Sequence, residues 1–224
     1  MIRAPGSRTF ALRQLGVTLA SAACYGAAIG AGKNATYAWR SMLKFPLLLV
    51  GTAAICGLAH FVGARFVGAR LPFLSVQRAS FLLFRTTAVL LASLAPVAWL
   101  LGLTMQAPDA QSLGGYPAFV GVNMLFIAAA GCVALARQVR SLLGQQELTR
   151  GQVFAIVASW LVLSLLVGGQ LAFWLRPFFG IASLASGGPF LLGDEPTVTG
   201  ARNFYEVVWQ FVTLADPGDY TRPH

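Results

Sequence analysis

Charge is scarce in this chain, and acid is the scarcer sign. Asp and Glu supply 7 of 224 residues, Lys and Arg supply 16, and charged residues make up 10% of the sequence, against about 25% in a soluble domain. That deficit excludes an ordinary soluble fold and a disordered chain, since both need polar surface to meet water. Cysteine is scarce as well. Cys24, Cys56 and Cys132 each sit in an apolar stretch without CxxC spacing, which excludes a disulfide-dense scaffold and argues against a zinc site. They read as small hydrophobes. Histidine is limited to His60 and His224. HExxH, a GxSxG elbow and a carboxylate pair inside an apolar run are all missing, and these are the residue sets that zinc hydrolysis, serine hydrolysis and acid–base chemistry need. The sequence therefore reads as a non-enzyme, with no catalytic, cofactor-binding or metal-binding residues.

What the chain has instead is hydrophobicity: 57% of its residues are apolar and its mean hydropathy is +0.69. A helix needs about 20 apolar residues to cross the hydrocarbon. The expected fold is all-α: a polytopic transmembrane bundle over residues 1–176 with four to five spans, followed by a tail at 177–224. Four spans are clear, at 45–64, 80–103, 117–136 and 152–175. A fifth, at 15–32, is rich in Ala and Gly rather than Leu. A re-entrant helix and a cleaved secretory signal are its rival readings.

The bases set the threading. Arg65, Arg70 and Arg78 fall in one loop and Arg137, Arg140 and Arg150 in another, while 104–116 carries none. Bases collect on the cytoplasmic side, so 104–116 lies outside. Arg3, Arg8 and Arg13 then place the N-terminus inside if 15–32 spans, and the C-terminal tail outside. A sequence pI of 10.3 is thus an insertion signal. It does not form the contiguous basic surface that a nucleic-acid partner requires. The implied surroundings are the lipid bilayer and a membrane-protein partner or a homo-oligomer.

Gly26, Gly30 and Gly32 in YGAAIGAG form a small-residue helix face, suited to close packing within the chain or against a partner. Thr52, Asn123, Gln170 and Arg176 fall at similar depth in the outer half. They read either as a small polar pocket or as interhelical hydrogen bonds. His60 lies near the inner end of its span, and Arg85 is close enough to the inner interface to snorkel there. Asn34-Ala35-Thr36 matches a glycosylation sequon by pattern only and is expected to be idle. FVGAR occurs twice, at 61–65 and 66–70, and reads as the basic inner end of a helix with a short duplication. In the tail, Asn203 and Glu206 have capping-box spacing ahead of Phe204, Val207, Val208, Phe211 and Val212 at helical intervals. An amphipathic interfacial helix is expected over 203–215. Trp174, Arg176 and Pro177 close the last span, and an Arg176 pair with Glu206, or with an acid at 194–195, would clamp the tail to the bundle.

GQLAFWLRPFFG at 169–180, ARNFYEVV at 201–208, YGAAIGAG at 25–32 and the KFPLLL run at 44–49 together resemble a family of uncharacterised bacterial inner-membrane proteins. Its members carry Gln-x-x-x-Trp-x-Leu-Arg-Pro-Phe after the last span and then Asn-x-Tyr. The resemblance implies a multi-spanning protein of the bacterial cytoplasmic membrane with no assigned activity. The composition and the motifs leave two expectations. One is a non-enzymatic subunit, scaffold or assembly partner of a membrane complex. The other is a small transporter or channel subunit built on the outer polar cluster.

Overall fold

The structure, a computed structural model, describes residues 7–105, 115–143, 149–176, 178, 190–191 and 202–213. These form six helices and, among the described residues, no strand: α1 (Ser7–Ala31), α2 (Ala35–Phe66), α3 (Phe73–Met105), α4 (Gly115–Leu143), α5 (Arg150–Trp174) and α6 (Phe204–Thr213). Five of them, α1 to α5, are long and apolar enough to cross a membrane. The Ala- and Gly-rich stretch is one of the five. Its moderate hydropathy reflects burial rather than surface exposure: Ala22, Tyr25 and Ile29 are sealed from solvent, and α1 packs along both α2 and α3.

Two helices are longer than the apolar runs predicted. α2 has 32 residues and α3 has 33, or about 48 and 50 Å at a rise of about 1.5 Å per residue. Both exceed a hydrocarbon core of about 30 Å. The mixed segment after Gly32, left between the expected spans at 15–32 and 45–64, is mostly the first turns of α2. Asn34 starts that helix: its side-chain oxygen accepts from Tyr37 N at 3.0 Å, satisfying one of the orphan donors at a helix start. The sequon asparagine is thus an N-cap. Pro46 and Pro96 sit within α2 and α3 without ending them, a lost backbone bond that packed membrane helices tolerate.

α2 ends in a Schellman turn built by the second FVGAR copy. Gly68 N donates to Arg65 O at 3.0 Å and Ala69 N to Ala64 O at 3.0 Å, with Gly68 at φ +82°, a conformation glycine adopts without a Cβ penalty. The two copies therefore differ in structure. The first is helix and the second is its cap. α5 begins with a Thr149–Gln152 capping box, and Gln152 Nε2 also donates to Val67 O at 3.3 Å. This ties the start of α5 to the end of α2. At the other end of the bundle, Gly32 meets Gly102 of α3, and the Phe119 ring of α4 lies beside Gly102. Successive helices thus alternate in direction. One end, the basic end, gathers Arg65, Arg70, Arg78, Arg137, Arg140 and Arg150. α2 packs against α3, α3 against α4, and α5 returns to α2. α4 and α5 meet only sparsely, and α6 rests on α5.

Candidate functional site: polar side chains within the bundle

Gly26 and Gly30 face α2, and Gly32 faces α3. A Cβ on Gly26 would overlap the Ser41 carbonyl and sit 2.8 Å from Phe45 Cβ, and one on Gly30 would overlap the Tyr37 carbonyl. A Cβ on Gly32 would lie 2.5 Å from Gly102 Cα. The small-residue face is spent on packing inside this chain, where it lets helix backbones approach closely.

The four residues of the outer polar cluster turn to different partners. Asn123 is fully buried; its Oδ1 accepts from Tyr25 Oη at 2.8 Å, and its Nδ2 donates to Phe119 O at 2.8 Å. Thr52 donates to Leu48 O of its own helix at 2.7 Å and faces Gly168 of α5. Its helix, α2, makes no packing contact with α4, which carries Asn123. Gln170 Oε1 accepts from Phe204 N at 3.4 Å. Arg176 donates from Nε to Phe173 O at 2.7 Å, and its guanidinium lies 3.5 Å from the centre of the Phe173 ring. Asn123 thus stands apart from Thr52, while Thr52, Gln170 and Arg176 each turn to a different partner on or beside α5. A Tyr25→Phe and Asn123→Leu double-mutant cycle should return a coupling of about 0.6 to 1.7 kcal/mol, the range for interhelical hydrogen bonds in bilayers. Unfolding midpoints of the four proteins in detergent measure it.

The described part of the tail docks on α5 through α6. Both carboxylate oxygens of Glu206 are taken up at the start of α6, by Arg202 N and Asn203 Nδ2, each at 2.6 Å. Asn203 Oδ1 in turn accepts from Glu206 N at 2.9 Å. The capping pair is present, and the contacts of Glu206 are to the start of its own helix. Pro177, Asp194, Glu195 and the last two residues of the predicted tail helix lie outside the described residues. The dock itself is made by Gln170, by Tyr205 Oη donating to Leu166 O, and by the Phe204 ring seated on Gly169. Trp174 is half-exposed beside this contact, as suits an interface anchor. Gly169→Leu should therefore release α6 while leaving the five-helix bundle folded. Limited proteolysis of the tail, run beside the unfolding midpoint of the whole protein, separates the two effects.

Two further groups carry more of the interior than their sequence context suggests. His60 is fully buried. Its Nδ1 lies 3.0 Å from Ser80 Oγ of α3 and its Nε2 3.3 Å from Ser164 Oγ of α5. A neutral imidazole donates from one nitrogen and accepts at the other, so two hydroxyl rotors complete its set. The ring stacks on Trp160, 4.6 Å between centroids at 16°, and Trp160 Nε1 donates to His60 O at 3.3 Å. One histidine thereby joins α2, α3 and α5. The only acid among the described residues, Glu206, stands on α6, so no carboxylate among them orients this imidazole for base catalysis. Lys44, expected outside the first clear span, is buried in the N-terminal part of α2. Its ammonium lies 4.7 Å from the centre of the Phe190 ring and 6.0 Å from that of Phe178. Ser41 Oγ donates to Phe178 O at 2.5 Å. Phe178 and Phe190 thus cover the start of α2 at the end of the bundle opposite the basic one. The aromatic partners lie far along the chain, so local sequence carried no signal for this burial. No protein family, curated protein or solved structure matches the chain.

Proposed function

We propose that this integral membrane protein is a non-enzymatic component of the bacterial cytoplasmic membrane, a scaffold or assembly partner within a membrane complex, with its N-terminus in the cytoplasm and its C-terminus outside. The observation that supports this reading is how the buried polar groups are used. Tyr25, Ser41, Thr52, His60, Ser80 and Asn123 each bond to a neighbouring helix, to a docked segment or to their own backbone. Transport along the bundle needs polar groups that face a common water-filled path, and these groups serve cohesion instead. The apolar outer faces suit lipid and helix partners, and the docked α6 offers Tyr205, Val208 and Trp209 at the exposed surface. Purification in mild detergent from native membranes tests the reading. A partner at fixed stoichiometry is the expected result. A homo-oligomer that supports solute flux after reconstitution, lost in Asn123→Ala and Gln170→Ala, would replace it with the transporter reading.

A further inference from the structure

The charged residues that bound the apolar runs do not lie at one height along the bundle. Contacts between helices fix the register, with α2 as the ruler. Gly26 meets Ser41 and Gly30 meets Tyr37, so Arg13 of α1 stands level with Ala54. Gly32 meets Gly102 and His60 bonds Ser80, so Arg85 of α3 falls between the levels of Thr52 and Ile55. Tyr25 bonds Asn123 and Phe119 lies beside Gly102, so Arg137 of α4 falls between the levels of Ala53 and Cys56. Three helices thus turn basic at one level. The other two do not. α2 stays apolar as far as Arg65, and the bond from Gln152 to Val67 puts Arg150 of α5 level with Ala69. At a rise of about 1.5 Å per residue, the two sets differ by about 15 Å. The opposite end is offset in the same sense. Lys33 follows α1 level with Asn34, whereas Arg176 follows α5 level with Pro46, as the Gly51 contact with Leu171 fixes it. Each uncharged stretch keeps the length of a hydrocarbon core, about 30 Å, but the two are shifted along the axis.

We propose that the bilayer meets this bundle obliquely. Its surface at the basic end crosses α1, α3 and α4 near Arg13, Arg85 and Arg137, and lies about 15 Å farther on along α2 and α5, near Arg65 and Arg150. The side chains between those levels agree. Leu58 and Val62 of α2 and Val162 of α5 are apolar and exposed, although they lie beyond the level at which Arg137 stands exposed on α4. A level surface would misplace one set. Drawn at Arg137, it leaves Leu58 and Val62 in water; drawn at Arg65, it takes three arginines into hydrocarbon, which is costly. Snorkelling relieves a single arginine, whereas here three separate helices mark the same height. Membrane helices tilt by up to about 40°, and neighbours pack about 9 Å apart, so tilt offsets the surface by about 8 Å between them. The remainder falls to the lipid, which must deform beside α1 and α4.

The test uses the full chain, purified and reconstituted into liposomes, with Cys24, Cys56 and Cys132 replaced by alanine. Single cysteines are then exposed to a membrane-impermeant maleimide, with both faces of the bilayer made accessible. Access to both faces keeps the result independent of which end is cytoplasmic, and the purified chain leaves lipid alone to cover the helices. Ala136→Cys, beside Arg137 on the exposed face of α4, should label, as should Gly151→Cys beside Arg150. Leu58→Cys lies farther toward the basic end than Ala136, yet it should react at least about tenfold more slowly, because hydrocarbon suppresses the thiolate. Val162→Cys on α5 repeats the measurement if Leu58→Cys does not fold, and full labelling after denaturation shows that each thiol is intact. Equal labelling of Ala136→Cys and Leu58→Cys overturns the proposal in either direction. If both react, the surface is level near Arg137; if neither does, it is level near Arg65.

Discussion

Gly26→Ala and Gly30→Ala should each lower stability by about 2 to 3 kcal/mol, the upper part of the range for overpacking a tight core. The added methyl at either position meets carbonyl oxygens of α2, at Ser41 and at Tyr37, and backbone cannot yield as a flexible side chain does. α1 and α2 must separate to admit it. The separation also strains the Tyr25–Phe45 edge contact, whose centroids are 5.1 Å apart, and the Tyr25 bond to Asn123. Gly121→Ala and Gly131→Ala on α4 supply the comparison, because a Cβ at either meets nothing within 4 Å. Those two should change stability by no more than about 0.5 kcal/mol. Unfolding midpoints of the four variants in the same detergent measure the contrast. Equal effects at all four positions would show that α1 is not seated against α2 in this way.

The second large effect belongs to His60. His60→Ala should cost about 3 kcal/mol, combining a core cavity with the loss of two interhelical hydrogen bonds. It also strands the Ser80 and Ser164 hydroxyls and removes the stacking partner of Trp160. Ser80→Ala and Ser164→Ala should cost far less, about 0.6 to 1 kcal/mol each, since each leaves the imidazole its other partner and its stack. The order matters more than the absolute values. If the serine variants matched His60→Ala, the hydrogen bonds rather than the ring would dominate the joint. Loss of near-ultraviolet dichroism from Trp160 in His60→Ala alone is the accompanying spectroscopic expectation.

These two sites show which features the sequence made readable. The spans could be found because hydrophobic length is a local property, and the bases flanking them are local too. The Asn203–Glu206 cap was equally visible, because its partners lie within one helical turn. The glycine face of α1 was recognisable as a packing surface, although its partner helix was not, since Ser41 and Tyr37 carry no mark of the approach. His60 looked like an isolated polar residue near a helix end. Its role depends on Ser80 and Ser164, which three helices bring together across long separations. Helix limits failed where polar residues were packed into the bundle: the expected span begins at 45, yet α2 begins at Ala35, and Tyr37, Ser41 and Lys44 are buried there. The outer polar cluster was inferred from depth alone. Depth leaves the direction a side chain faces undetermined, and helix packing sent Asn123 to α1 and Gln170 to α6.

The proposed threading puts the two ends of the five-helix bundle on opposite sides of the membrane, with the basic end in the cytoplasm. Cysteine labelling tests it most directly, after Cys24, Cys56 and Cys132 are replaced by alanine. A single cysteine is then introduced as Arg8→Cys before the first span, or as Val208→Cys on α6. In intact cells a membrane-impermeant maleimide should label Val208→Cys and leave Arg8→Cys unlabelled until the membrane is opened. Labelling of both, of neither, or of Arg8→Cys alone in intact cells would contradict the account.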